Sequence, residues 1–326
     1  MKWRMGQPEL KAGSANIMAD DTNKKNIELS LRMQTVADMV QPGGRVCDIG
    51  CDHAFVSIYL VANGIADHVI ASDVRTGPCA IARENIARWG MDDRIDLRLG
   101  DGLDTVKPGE TDSIIIAGMG GILITDILSA GKTVVDTAKQ LVLQPQSELE
   151  HVRRYIHEQG WFITDEKMLV DAGKYYVVMS VDVGESSRNE EKTNDMVRAG
   201  NDRNGNDRNG NDRNGNDRNG NDMNGNDRNG NDRNGMDATG NDIAGIARSE
   251  NDRFAHNSDL QEIYFKYGRR LLESHSAVLK DYLEDRRRSL VDIISGLEHV
   301  KTDNARKRCL ELRHEQECIE RALELI

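Results

Sequence analysis

The sequence contains few cysteines, few aromatic residues and no long apolar segment. Its five cysteines stand at positions 47, 51, 79, 309 and 318, a spacing that fits neither a disulfide framework nor a paired CxxC zinc site, and we predict no metal. No apolar run approaches the roughly 18 residues that cross a bilayer, which predicts no contact with a membrane. A secretory signal sequence is also lacking, so we expect a cytoplasmic protein. The net charge of −12 argues against a protein that merely coats nucleic acid.

Apolar residues are also missing from one long segment. Residues 186–257 contain only about a dozen of them. Within that segment, 201–235 is a tandem repeat, with six copies of NDRNG and one of NDMNG. No copy offers an aliphatic or aromatic side chain for a solenoid core, so we predict a disordered insertion. Residues 1–26 are polar and aperiodic, which predicts a flexible leader.

Between residues 27 and 185, short apolar runs alternate with amphipathic stretches. The pattern predicts an α/β fold with a mostly parallel sheet, because its inner strands are apolar throughout and must be covered on both faces. The last two strands follow each other without a helix, which predicts an antiparallel hairpin. This is the outline of a Rossmann-like class I methyltransferase sheet. The predicted strands are Arg45–Ile49, His68–Asp73, Ile95–Leu99, Ser113–Ala117, Gln140–Gln144, Trp161–Leu169 and Tyr175–Val183.

The C-terminal segment, 258–326, has leucines and isoleucines at spacings of three and four residues. Two such stretches flank a plausible turn at 299–304, which predicts a helical hairpin of coiled-coil type. The chain therefore divides into a leader, an α/β domain at 27–185, an insertion at 186–257 and a helical domain at 258–326. The acid excess belongs mostly to the α/β domain, since the helical segment is nearly neutral.

Four motifs follow the ends of successive predicted strands. In VCDIGCDH, Asp48 and Gly50 end the first strand, and Asp52 and His53 begin the next turn. A glycine at such a turn lets a ligand approach the backbone closely. Only one glycine is present, so this is not a GxGxxG dinucleotide motif. Asp73 ends the second strand, where a carboxylate can accept hydrogen bonds from both hydroxyls of a ribose.

The other two motifs are GDGL and AGMGG. Asp101 is suited to accept a hydrogen bond from an adenine amino group, and Gly102 leaves room for the ring. Gly118 and Met119 lie in a glycine-rich corner after the fourth strand. Open α/β sheets bind ligands at this carboxyl edge, so the four motifs together predict a site for an adenosyl ligand. An ordinary βα turn and a solvated aspartate remain the alternatives for each motif alone.

These motifs, in this order, resemble the TrmK-type tRNA (adenine-22-N1)-methyltransferase family. The strings that carry the resemblance are IELSLRMQTV, DIGCDHAF, IASDV, GDGL, IAGMGG, LVLQP and GKYYVV. The resemblance covers 27–185 and resumes weakly at 265–268. It implies S-adenosyl-L-methionine as cofactor and tRNA as partner, with methyl transfer to N1 of an adenine. The implied cofactor-binding residues are Asp48, Gly50, Asp52, His53, Asp73, Asp101, Gly102, Gly118 and Met119. The insertion departs from the pattern and leaves the placement of the helical domain open.

The reaction needs no covalent catalyst, because adenine N1 is itself a nucleophile. A carboxylate near the methylated, positively charged base would stabilise it, and Asp52 is our candidate, with His53 orienting it. Gln144, at the end of the fifth strand, is a candidate for bonding the edge of the base. The alternative for His53 is a residue at a helix start that bonds locally, and the alternative for Gln144 is an ordinary strand terminus. The sequence does not determine the oligomeric state.

Binding of tRNA by an acidic protein requires local basic surface. The candidates are Arg32 on the first helix and two clusters of basic residues in the helical domain. The alternative is that these side chains form ion pairs on a helix face. The functional alternatives are a methyltransferase acting on another RNA, on DNA or on a small molecule, and a catalytically silent RNA-binding or interaction protein on the same fold. The two clusters are Arg286, Arg287 and Arg288, and Arg306, Lys307 and Arg308.

Overall fold

A computed structural model of the chain describes residues 17–18, 26–184 and 258–326. The insertion predicted at 186–257 and most of the leader predicted at 1–26 therefore lie outside the described residues. Two short strands, β1 (Ile17–Met18) and β2 (Asn26–Ile27), pair in antiparallel orientation. No helix in the described ranges is long and apolar enough to span a membrane.

Seven further strands are β3 (Arg45–Ile49), β4 (His68–Asp73), β5 (Ile95–Leu99), β6 (Ser113–Met119), β7 (Gln140–Pro145), β8 (Phe162–Asp171) and β9 (Lys174–Asp182). They form one mixed sheet in the order β5-β4-β3-β6-β7-β9-β8. The first five pair in parallel and the hairpin pairs in antiparallel orientation, which confirms both predictions. The second hairpin strand lies beside β7, and the first forms the edge. Three of the seven predicted strands have the bounds predicted, and the others shift by a few residues.

Helices cover both faces of the sheet. Ser30 caps the first helix by accepting a hydrogen bond from the Met33 N–H, so this helix begins at Leu31. Gly90, in the left-handed conformation, ends the third helix. The helices are α1 (Leu31–Asp38), α2 (Phe55–Ala62), α3 (Thr76–Trp89), α4 (Gly121–Ala130), α5 (Lys132–Val135) and α6 (Leu149–Glu158).

Four helices form the C-terminal region: α7 (258–267), α8 (Arg269–Glu273), α9 (Ala277–Glu298) and α10 (Asp303–Glu324). The last two are joined by a short turn and capped by Ser276 and Thr302, whose hydroxyls accept backbone N–H bonds. The predicted helical region is thus confirmed. Its coiled-coil packing and the four-part division of the chain stay predictions.

A buried ion pair joins the sheet to the C-terminal helices. Arg153 of α6 and Glu166 of β8 lie 2.8 Å apart and are almost completely buried. The same guanidinium donates to the backbone carbonyls of Phe265 and Lys266 at the end of α7. A side chain at Gly268 would collide with both ionic groups. The helices are therefore in direct polar and apolar contact with the sheet.

Candidate functional site

The turn between β3 and α2 is built from unusual backbone conformations. Gly50 has φ +72°, and Asp52 and Ala54 also have positive φ values, which are uncommon for residues with a side chain. A Cβ atom at Gly50 would lie 2.3 Å from Cε of Met119. The sequence prediction that Gly50 permits a close approach is therefore consistent with its surroundings, and it places Met119 beside the turn.

Asp48 is buried under this turn. Its carboxylate accepts a 2.6 Å hydrogen bond from the hydroxyl of Ser57, a residue that the sequence reasoning did not single out. Burial raises the pKa of Asp48 to about 6, because removal from water penalises the ionised form, and the Ser57 bond opposes this rise. A carboxyl group whose pKa is raised towards neutral pH in this way is typical of a functional site.

Asp73, at the end of β4, connects the ends of two strands. Its side chain is 3% exposed, and its two oxygens accept hydrogen bonds from the backbone N–H groups of Asp52 (3.2 Å) and Arg75 (2.9 Å). The Arg75 guanidinium lies 3.3 Å from the same carboxylate, although that side chain is mostly exposed. A ligand with hydroxyl groups can replace the guanidinium at this carboxylate without moving buried structure.

Asp52 and His53 are brought together only loosely. Oδ2 of Asp52 and Nδ1 of His53 are 3.7 Å apart, beyond a hydrogen bond, and the Asp52 side chain is exposed. Asp52 also lies 3.5 Å from the guanidinium of Arg75. The His53 carbonyl accepts a bond from Asn85, which holds the backbone of the turn. Asp52 therefore presents an exposed carboxylate at the carboxyl edge of the sheet, and its ion-pair partner there is the exposed Arg75 side chain.

The turn after β5 contains the predicted adenine-binding residues. Asp101 is exposed, and Gly102 has φ +50°. A Cβ atom at Gly102 would lie 3.2 Å from Ile127 of α4, so the backbone here runs close to that helix. Both residues are at the same edge of the sheet as Asp73, because β5 and β4 are parallel neighbours.

Gln144 supports the glycine-rich corner at Gly118 through hydrogen bonds. Its side chain is completely buried, and its oxygen accepts hydrogen bonds from the Gly118 N–H (3.1 Å) and from Nη1 of Arg32 (2.8 Å). Its amide nitrogen donates to the Pro145 carbonyl. This bonding favours a positioning role for Gln144 over direct contact with a base. Arg32 in turn lies over the ring of Tyr176, at 5.0 Å from its centroid.

Exposed apolar side chains surround this edge, and the sequence reasoning missed them. Val74 directly follows β4, and Leu99 is the last residue of β5. Ile122 and Leu123 occupy the first turn of α4, after the glycine corner. All four side chains are more than half exposed. The sequence contained a signal for Val74, because this apolar residue directly follows Asp73, the polar end of β4, where there is no core for it to enter.

The basic clusters of the helical region are largely paired. Arg286 forms a two-point ion pair with Glu315, and Arg288 pairs with Asp285. Arg306 and Arg308 pair with acidic residues three positions away. Among the residues that the structure describes, neither Arg287 nor Lys307 forms an ion pair, and both are exposed. These two are therefore the freest cations of the predicted tRNA-binding set.

The hairpin tip brings α9 towards the same edge of the sheet. Strand β9 runs antiparallel to β7, so its first residues extend past the carboxyl end of β7. There Tyr175 donates a 3.2 Å hydrogen bond to Asp285 of α9, and its ring contacts that of Tyr282. The segment of α9 that carries Arg286–Arg288 is thus attached to the side of the sheet where the motifs converge.

Comparison with known proteins agrees with this geometry. Residues 29–179 match the family model of a methyltransferase domain. The chain is 39% identical over 159 residues to the tRNA (adenine(22)-N(1))-methyltransferase of Bacillus subtilis, covering 49% of this chain and 67% of that protein. It is 30% identical over 157 residues to a putative tRNA methyltransferase of Mycoplasma pneumoniae, covering 46% and 70% of the two chains.

The fold is similar to that of a solved structure over nearly the whole length. The crystal structure of the Bacillus subtilis m1A22 tRNA methyltransferase TrmK superimposes with a TM-score of 0.62 and 25% identity. That comparison covers 91% of this chain and 99% of the other. The structural similarity therefore extends to helices that follow the insertion.

Proposed function

The chain belongs to the tRNA (adenine(22)-N(1))-methyltransferase family, and from that premise we propose that it methylates N1 of an adenine in tRNA with S-adenosyl-L-methionine as methyl donor. The observation that supports this best is the convergence of Asp48, Gly50, Asp73 and Gly118 at one edge of the sheet. The substrate follows from the family, because the geometry alone does not distinguish one base from another. We expect the enzyme to work in the cytoplasm, where tRNA is found.

The residues at this edge fit the methyl donor. Gly50 has no room for a Cβ atom, which would meet Cε of Met119, so a glycine is what allows a neighbouring group to approach the backbone of this turn. Asp73 offers a buried carboxylate to the ribose, and only an exposed guanidinium has to move. Val74 and Leu99 supply apolar surface on which an adenine ring can lie. When bound, the donor supplies an electrophilic methyl group on a positively charged sulfur.

The protein's own residues then have two tasks. Asp52 presents an exposed carboxylate that stabilises positive charge on the methylated base. Gln144 and Arg32 fix the Gly118 backbone, so the corner that receives the base is rigid before binding. Neither task requires a nucleophile on the enzyme. The buried Cys51 thiol is unsuited to one, because burial raises its pKa far above neutrality.

Contact with tRNA is proposed for Arg287 and Lys307, the exposed cations without an ion-pair partner in the described ranges. The link between Tyr175 and Asp285 supports this role, because it attaches α9 to the edge that carries the site. The paired arginines in the clusters contribute less, since a phosphate must first break their ion pairs. Arg32 is proposed to act mainly through Gln144.

A labelling experiment tests the function. The full chain is incubated with methyl-labelled S-adenosylmethionine and unmodified tRNA, and the nucleosides are separated after digestion. We expect label in 1-methyladenosine, and none when adenine 22 is replaced by guanine. The variant to compare with the wild type is Asp73→Asn, which keeps the shape of the side chain and removes its charge. Label in another nucleoside, or on DNA or a small molecule, would favour the alternative substrates. No donor binding by calorimetry would favour a silent RNA-binding protein.

A further inference from the structure

Four polar side chains meet where α7 contacts α10, outside the site described above. Glu262 and Lys266 come from α7, and His314 and Cys318 come from α10. Oε1 of Glu262 lies 3.0 Å from Nε2 of His314, and that nitrogen lies 3.8 Å from Sγ of Cys318. The oxygen, nitrogen and sulfur atoms are all within 4.8 Å of one another. Three atoms that can each donate a lone pair therefore converge on one small volume.

This ligand set has a definite chemical preference. A thiolate, an imidazole and a carboxylate together select a borderline divalent ion such as Zn²⁺ over Mg²⁺ or Ca²⁺, which prefer oxygen alone. His314 and Cys318 are four residues apart on one helix, so they lie on the same face. Glu262 approaches from the other helix. Three protein ligands leave a fourth position for water, and the His314 side chain, 55% exposed, provides the opening to solvent.

The chain's own ammonium group already lies at this point. Nζ of Lys266 is 2.9 Å from Oε1 of Glu262 and 3.3 Å from Sγ of Cys318. The cluster thus attracts a cation, and Lys266 provides one. A metal ion would have to displace the ammonium, whose long flexible stem allows the head group to swing towards water.

We propose that Glu262, His314 and Cys318 bind Zn²⁺ and that Lys266 competes with the metal for the same position. On binding, the Cys318 thiol releases its proton to solvent and forms the Zn–S bond, and the Lys266 ammonium moves out. The ion would then tie α7, the first described helix after the insertion, to α10, the last helix of the chain. Metal binding in this way adds to the stability of the helical region. The proposal does not depend on methyl transfer.

Spectroscopy with Co²⁺ as the probe tests this on the full chain. A thiolate bound to Co²⁺ gives an intense near-ultraviolet charge-transfer absorption, and Zn²⁺ added afterwards should abolish it. We expect Cys318→Ser to remove the absorption and His314→Ala, which removes a direct ligand, to weaken Co²⁺ binding by more than the roughly 10- to 100-fold that loss of an outer-shell partner costs. His314 is exposed, so its replacement should not unfold the protein. The matched control is Cys309→Ser, which removes a half-buried thiol from the same helix and should change nothing.

The decisive variant is Lys266→Met, which keeps the apolar stem and removes the competing charge. We expect it to bind Co²⁺ about tenfold more tightly than the wild type, since a positive neighbour disfavours metal binding. If Lys266 is only a structural partner of Glu262, the variant will bind Co²⁺ no better. That result would overturn the proposal. The proposal would also be overturned if the charge-transfer absorption survives Cys318→Ser, or if the wild type with Co²⁺ does not show it.

Discussion

Nη1 of Arg32 lies 2.8 Å from the side-chain oxygen of Gln144, so the first helix is bonded directly to the end of the fifth parallel strand. The same oxygen receives the Gly118 N–H, which makes Gln144 the link between a helix and the glycine corner. Because Gln144 is completely buried, its amide cannot exchange these hydrogen-bond partners for water. The corner is therefore fixed by bonds that neither residue's position in the sequence reveals.

Gln144→Ala should lower the methylation rate by roughly 10- to 100-fold, because the Gly118 corner loses its support. Binding of the methyl donor should change little. The matched control is Gln140→Ala, which removes an equally buried amide from the start of the same strand. That variant should lose stability without a comparable loss of rate per folded molecule. Equal rate losses in both variants would show that Gln144 matters only for folding.

Gly50→Ala should weaken donor binding more than its loss of stability explains. A positive φ costs an alanine about 1 kcal/mol, and the added Cβ also meets Met119. Gly64 has a similar φ of +68° with open space around it, so Gly64→Ala carries the strain alone. Calorimetry of both variants separates the two effects. Unchanged donor affinity in Gly50→Ala would remove this turn from the site.

Asp48 makes a pH-dependent contribution to stability. The pKa of Asp48 in the folded protein is about 6, above the ordinary value of 3.8. Between these two pH values the carboxyl group is therefore protonated in the folded state and ionised in the unfolded state. Its contribution to stability is therefore largest below pH 4 and declines as the pH rises to about 6. The full difference is about 3 kcal/mol.

Asp48→Asn should remove this contribution. Without donor, the variant should be more stable than the wild type at pH 8 and should lose that advantage at pH 4. It should also bind the donor more weakly, because the ionised carboxylate is lost. Denaturant titrations across this pH range measure the difference, with Asp93→Asn, an exposed carboxylate, as control. A constant difference at all pH values would contradict the shifted pKa.

Arg287→Ala and Lys307→Ala should each weaken tRNA binding and reduce the slope of log affinity against log salt by about one unit. Binding of the methyl donor should stay the same. Lys139→Ala, which removes a charge next to the amino end of β7, is the control for net charge. Filter binding across a salt series checks this. Slopes equal to that of the wild type would show that α9 and α10 do not hold tRNA.

The sequence determined the α/β fold closely, because the spacing of apolar residues depends on how each strand is buried. Ile114, Ile115 and Ile116 are all fully buried, as a parallel strand covered on both faces requires. The same pattern located Gly50, Asp73 and Gly118 at strand ends, and parallel pairing brings such ends to one edge. Strand order within the hairpin was not determined, because both orders satisfy the apolar pattern.

Contacts between distant residues were decided by the tertiary structure alone. Gln144 was expected to meet a base, and instead its amide is buried against Arg32, 112 positions away. The pairing of Arg286 with Glu315 depends on the register of two helices, which local spacing does not fix. The grouping of Glu262, Lys266, His314 and Cys318 has the same origin. A sequence pattern records whether a side chain is buried, whereas its partner is set by the packing of separate elements.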